Sequence, residues 1–403
     1  MRVAVVGAGI IGAAVGRELA LRHDGVEVTV YDKEPAPAAH QTGHNSGVAH
    51  AGLYYAPGSL KALLCRRGRP MLREFCVEKG LPYDEVGKVV VAPDERALGR
   101  LEQVRERAVA NAVPGLRRLS RDELAEVEPL AVGVAALHSP HTAITDYAAV
   151  TAAMLDDVTA AGGTLRMGSE VRALSFAGSG VRIATGIDEQ RYDRVICCGG
   201  LQSDRLVRAA GLVPDASIVG FRGKYYHLRH PDRVPLRGLV YPVPDPKYPF
   251  LGVHVTRHTD GSVSLGPNAV LALDRERYDG FGVCGRDVVS ILRWPGSYPM
   301  ARAHWTTGLR EMALASSKRL FLSEVATIFS GVRSPEDVLP AGSGIRAQAV
   351  DRRGALLDDF AVQQAGPMLF LLNAPSPAAT SSLAIAEHLV RRYADWAVRG
   401  RAG

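Results

Sequence analysis

The chain has 403 residues, 47% of them apolar and 22% charged, a composition that can bury a large core, expected to be divided between two domains. Its formal net charge is +6, but 41 of the 48 basic residues are Arg and only seven are Lys. No basic block is interleaved with aromatics, which argues against a single-strand nucleic-acid groove.

At the amino terminus RVAVVGAGIIGAAVGRELA reads as a short β-branched strand over 2–6, a glycine turn, and a helix from about Ile10 to Leu21. Gly7, Gly9 and Gly12 give the GxGxxG spacing. The first permits the turn, the second lets the backbone approach a pyrophosphate, and the third lets the helix pack on the strand. A second strand, VEVTVYD, ends at Asp32, twenty residues after Gly12, where a carboxylate can accept the hydroxyls of an adenosine ribose. A dinucleotide with an unphosphorylated ribose is favoured, either FAD or NAD.

The chain then enters HQTGHNSGVAHAGLYY, residues 40–55, with three histidines, three glycines and no acid. A loop built only for solubility would normally carry Lys, Glu or Asp. This one is small, polar and rich in imidazole instead.

Further on, RVICCGGLQSD at 194–204 reads as a buried strand followed by a glycine turn. Residues 217–273 alternate in YYHL, FLGVHV and SVSLGP, with turn signals at 244–249 and at Asp260-Gly261, and predict an antiparallel sheet. His254 and Arg257 are three apart, so on an extended strand they point to opposite faces. GSGIRAQAV places Arg346 after a glycine turn, where a cation can face an anionic ligand. LFLLNAPSPAATSSLAIAEHLV reads as a buried strand, a proline-spaced loop, and a helix beginning near Ala378.

The segment HQTGHNSGVAHAGLYYAPGSLKALLC resembles the flavin-binding segment of the L-2-hydroxyglutarate oxidase/dehydrogenase family, within the wider D-amino-acid-oxidase-like group of FAD oxidoreductases. The resemblance recurs in FRGKYYHL, in YPVPDPKYPFLGVHVTRHTDGSVSLGPNAVLAL, in GIRAQAVDRRGALLDDF and in NAPSPAATSSLAI, so it runs along nearly the whole chain. It implies an α/β plus α+β fold: a Rossmann-like FAD-binding domain formed by 1–80, 145–215 and 335–403, and an antiparallel-sheet substrate domain formed by 81–144 and 216–334. It also implies that FAD is held by Gly7, Gly9, Ile11, Gly12, Asp32 and Lys33, and by Thr42, Gly43, His44, Asn45, Ser46 and Gly47. To these it adds Val171, Cys198, Gly200, Gly344, Arg346, Ala378, Ala379 and Thr380. An acid in 40–55 would repel the pyrophosphate, which accounts for its absence there.

The resemblance further implies oxidation of L-2-hydroxyglutarate, or a close 2-hydroxy acid, to the 2-oxo acid. A related flavin oxidase of an amino acid or a specialised hydroxy acid, and a non-catalytic FAD-binding scaffold, are the competing readings. An alcohol must lose its hydroxyl proton as it is oxidised, and a neutral imidazole is the natural acceptor, so His50 and His254 are the candidate bases. Tyr55, Arg222, Tyr241, Arg257 and Arg346 are candidates for the carboxylates of a hydroxy dicarboxylate. Three positions depart from the family pattern: Lys224, where an acid is expected, and His141 and Ala143, where glycine is usual. The electron acceptor is open among oxygen, a quinone and a carrier protein.

Five scattered cysteines, Cys65, Cys76, Cys197, Cys198 and Cys284, form no CxxC pair and no Cys/His cluster, so no metal site and a reducing compartment are expected. No apolar stretch reaches the roughly eighteen residues that span a bilayer, and the first apolar run leads straight into the glycine turn rather than a signal peptide. The expected address is cytoplasmic, with peripheral membrane contact compatible with these features.

Overall fold

The computed structural model describes the backbone of residues 1–399 and the side chains of residues 1–392. At its centre the strand Arg2–Val6 pairs in parallel with Glu27–Tyr31 on one side and Arg194–Cys197 on the other. The six-stranded sheet is completed by Thr164–Arg166, Met368–Asn373 and Ala361–Ala365. The central strand is apolar at every position after Arg2 because both of its faces are covered. Val3 and Val5 pack under the helices Ile10–Arg22, Tyr147–Ala160 and Ser382–Arg399. Ala4 and Val6 pack under the three-stranded antiparallel sheet of residues 173–192 and the helix Ser203–Ala209.

A nine-stranded sheet forms the second layer system. Its long strands Ser217–Leu228 and Val338–Val350 run antiparallel, and Leu239–Pro242 pairs in parallel with Lys88–Ala92. That parallel pair draws residues 81–144 and 216–334 into one sheet. Two expectations differ. Residues 338–350, expected with the cofactor part, pair along Ser217–Leu228 from Val350 opposite Ser217 to Val338 opposite Leu228 and so extend the second sheet. The last helix begins at Ser382 rather than near Ala378, because residues 374–381 form the proline-containing loop first. Residues 400–403 of the expected cofactor segment lie outside the described residues.

A buried ion cluster fastens the two parts. The Arg275 guanidinium donates to Asp204 Oδ1 at 2.7 Å and to the Leu201 carbonyl at 2.9 Å, with both side chains almost fully buried. Among the described residues no helix is long and apolar enough to cross a membrane.

Candidate active site

The glycine turn is shaped by contact with a second turn. Gly7 has φ +112°, and a Cβ there would lie 2.4 Å from the Cys198 carbonyl oxygen. A Cβ on Gly12 would lie 1.8 Å from the Gly7 carbonyl oxygen, so only glycine lets the helix start this close to the turn. The Asp32 carboxylate accepts from the amides of Ala8 at 2.6 Å and Glu34 at 2.9 Å, which fixes it at the end of its strand. Thr42 Oγ1 accepts from the Ile10 amide at 3.0 Å and so ties the histidine-rich loop to the start of the first helix.

These groups open onto a cavity of about 1240 Å³ that runs between the two sheets. A drug-sized ligand needs roughly 300–1,000 Å³, so the space accommodates a dinucleotide together with a small substrate. At one end lie Asp32 and the glycine turns, and at the other a cluster of rings and cations.

In that cluster the His50 backbone is held from two sides, its amide donating to Thr380 Oγ1 at 3.0 Å and its carbonyl accepting from the Cys65 thiol at 3.3 Å. Its Nδ1 is buried with no hydrogen-bond partner. His254 is better prepared. Its Nδ1–H donates to the Gly252 carbonyl at 3.0 Å, which leaves the Nε2 lone pair free, and its ring stacks on Tyr241 with centroids 3.9 Å apart. Burial lowers the His254 pKa to about 3 and, with Lys88 adding to the effect, holds His50 well below the ordinary imidazole value. Both rings are therefore neutral near pH 7.

The cavity wall also carries Arg346, whose guanidinium lies over the Phe250 ring at 5.5 Å and has no carboxylate partner among the described residues. Lys61 is paired with Asp358 at 2.8 Å and lies 5.3 Å from the Tyr55 ring centroid.

The sequence-derived residues divide clearly. Gly7, Gly9, Ile11, Asp32, Lys33, Thr42, His44, Asn45, Ser46, Val171, Cys198, Gly200, Gly344, Ala378, Ala379 and Thr380 line the cavity, as do His50, His254, Tyr55, Tyr241 and Arg346. Gly12, Gly43 and Gly47 stand behind it and shape the backbone. Lys33 is engaged with Glu34, with Glu276 at 3.0 Å and with His40 at 2.9 Å. Asn45 is used within its own loop, accepting from the Gly47 amide at 2.7 Å.

Arg222 and Arg257 are corrections: neither lines the cavity. The Arg222 guanidinium covers Phe281 at 4.4 Å, and Arg257 is exposed on the strand face opposite the buried His254. The departures Lys224, His141 and Ala143 also lie off the cavity; Ala143 is fully buried in a strand opposite Ala49, and His141 pairs with Glu85 at 2.9 Å. Sequence reasoning missed Lys61, Tyr54, Tyr225 and Phe250 on the wall, and Lys88 just behind it. Lys88 left a signal: it opens the strand KVVVA, where a lysine precedes a fully buried run.

A parallel-sheet domain with glycine turns and a carboxylate at the end of its second strand, abutting a second sheet that supplies a neutral imidazole and a cation without a carboxylate partner among the described residues, is the arrangement of a flavin-dependent oxidoreductase. The residues fit FAD: the loop against the glycine turn has no acid, and the cavity of about 1240 Å³ is lined from Asp32 and the glycine turns through to His254 and Arg346. The family model described as FAD dependent oxidoreductase matches residues 2–392, and the chain belongs to that family and, within it, to the group of proteins named L-2-hydroxyglutarate dehydrogenase. It is 40% identical to the L-2-hydroxyglutarate dehydrogenase of Indibacter alkaliphilus, covering 95% of this chain and 96% of that one. It is also 40% identical to the Escherichia coli K12 protein of the same name, over 96% of this chain and 92% of that one. The human mitochondrial protein is 40% identical, over 95% and 86%. Among solved structures, L-alpha-glycerophosphate oxidase from Mycoplasma pneumoniae shares the fold at TM-score 0.79 and 21% identity, over 97% of this chain and 94% of that one.

Proposed function

We propose that this chain oxidises L-2-hydroxyglutarate to 2-oxoglutarate, with His254 as the base and Arg346 as a carboxylate ligand. The observation that carries the reading is the fixed tautomer of His254, whose Nδ1–H is held by Gly252 while Nε2 faces the same cavity as an unpaired guanidinium. Bound FAD supplies the two-electron acceptor for the C2–H bond. Asp32, the glycine turns and the 42–46 loop hold it. As the carbinol carbon is oxidised its hydroxyl must lose a proton, and a neutral imidazole in hydrogen-bond reach accepts it and becomes imidazolium.

A five-carbon diacid presents two anions, and Arg346 can engage one in bidentate fashion. Lys61 stands nearby for the other, although Asp358 competes for it.

The test is anaerobic mixing of the FAD-loaded protein with L-2-hydroxyglutarate, with a D-2-hydroxy acid and an L-amino acid as controls. Bleaching of the flavin absorbance by L-2-hydroxyglutarate alone supports the reading; bleaching by the amino acid alone, or by none, removes it. Reoxidation by oxygen, a quinone analogue or a carrier protein then separates the acceptors.

A further inference from the structure

Lys88 is a buried cation that the reaction just described does not use. It is 1% exposed at the start of the strand Lys88–Ala92, and its ammonium lies 4.8 Å from the Tyr54 ring centroid and 4.9 Å from that of Tyr241. Among the described residues no carboxylate pairs with it. Leaving a lone ammonium in an apolar strand is costly, since buried charges are ordinarily paired. The two aromatic rings recover part of that cost through cation–π attraction.

The surroundings contain no anion at neutral pH. The ionisable groups facing Lys88 are Tyr54 from the loop after residue 50, Tyr241 from the strand Leu239–Pro242, Cys65 from the helix Leu60–Glu78, and the imidazoles of His50 and His254. Burial pushes the Tyr54, Tyr241 and Cys65 acids up, so all three are neutral. Tyr241 is at once the ring beside Lys88 and the ring on which His254 stacks. The charge thus sits directly behind the wall that meets the substrate.

We propose that Lys88 is a positioning residue that supplies countercharge to an anionic substrate through the Tyr54–Tyr241 wall, so that substrate binding and protonation of Lys88 promote one another. This rests on the reading of the substrate as a dicarboxylate. In the free protein burial keeps both imidazoles unprotonated, and the positive potential adds to it. When carboxylates enter, they offset that potential, and His254 becomes a stronger base at the moment it is needed. Burial brings the free Lys88 ammonium down to about 7, so a bound anion, which raises it again, must draw in a proton above that pH.

The experiment titrates the FAD-loaded protein with glutarate, a dicarboxylate with no hydroxyl to oxidise, and follows the flavin absorbance shift from about pH 6 to 9. Wild type, Lys88→Met and Lys88→Arg are compared. The expected wild-type Kd is flat below about pH 7 and then climbs towards tenfold per unit. Lys88→Arg should bind tightly with no such slope, and Lys88→Met should bind at least about tenfold more weakly and also without slope. A wild-type Kd independent of pH, a Lys88→Met protein that binds as wild type does, or no glutarate binding by wild type overturns the proposal. If Lys88→Met fails to retain FAD, the wild-type slope and its loss in Lys88→Arg decide. A wild-type protein that binds glutarate with the expected slope but is not bleached by L-2-hydroxyglutarate keeps the role of Lys88 and rejects the substrate.

Discussion

The His254 imidazole stacks on the Tyr241 ring with centroids 3.9 Å apart and planes 24° apart, while its Nδ1–H is held by the Gly252 carbonyl. Two constraints at right angles, one on the ring face and one on the ring edge, leave Nε2 a single direction in which to point. His254→Ala should lower the rate of anaerobic flavin reduction by about 10² to 10⁴, with FAD retained. His50→Ala should lose less, because no hydrogen bond fixes the tautomer of that ring. Stopped-flow absorbance at the flavin band checks both, and equal rates for His254→Ala and wild type would remove the assigned base.

Arg346 is a cavity-lining guanidinium with no carboxylate partner among the described residues, and Phe250 supports its planar face. Arg346→Met should raise KM for the hydroxy acid far more than it lowers kcat, by a loss of about 1.5–3 kcal/mol for a charge-assisted hydrogen bond. Arg222→Met, which removes a guanidinium that covers Phe281, should leave both constants near wild type. Steady-state kinetics on the two variants separates them.

Asp32 accepts two backbone amides and also faces the cavity, where on the proposed reading it meets the ribose. Asp32→Ala should weaken FAD binding by about 1.5–3 kcal/mol, and Asp32→Asn, which keeps one acceptor oxygen, by less. Fluorescence of released FAD on dilution measures the difference; equal retention in all three proteins contradicts the assignment.

The pH dependence of stability follows from the two depressed bases. Lys88 titrates at 10.5 when unfolded and about 7 when folded, so between those values the unfolded chain holds more protons and stability rises with pH. His254 does the same between about 3 and 6.5, so its contribution is complete above pH 6.5 and lost on acidification. Each unit is worth about 1.4 kcal/mol. Lys88→Met should therefore raise Tm at neutral pH, with the gain over wild type shrinking towards pH 10. A lower Tm for Lys88→Met at pH 7 would show that the ammonium is not the burden its burial implies.

Arg275 and Asp204 join the two sheets with both side chains buried. Asp204 also accepts from Arg208 at 2.8 Å and from Ser217 at 2.9 Å, so Arg275→Met removes one of its two guanidinium partners and should cost less than the about 3–5 kcal/mol of a fully uncompensated buried charge, but more than the double change with Asp204→Asn. Denaturant unfolding of the single and double variants is the check.

The glycine turn, Asp32 and the acid-free loop were legible in the sequence because each requirement is local. A positive φ, a close approach and the exclusion of like charge are set by the residue itself and its chain neighbours. The face separation of His254 and Arg257 was legible for the same reason, since strand geometry alone puts residues three apart on opposite sides.

The choice among forty-one arginines was decided only by tertiary structure. Arg346 stands opposite Phe221 in the long antiparallel pair and shares its face, while Arg222 stands opposite Ile345 and faces the other way. One step of register therefore separates a guanidinium that lines the cavity from one that covers Phe281. Lys88 is the same case at longer range: the strand could be read from KVVVA, but its burial depends on a parallel partner, Leu239, far along the chain and on two tyrosines from other elements. A side chain's charge is written in the sequence, whereas the dielectric around it is assembled by segments distant in the chain, and that environment sets what the charge does.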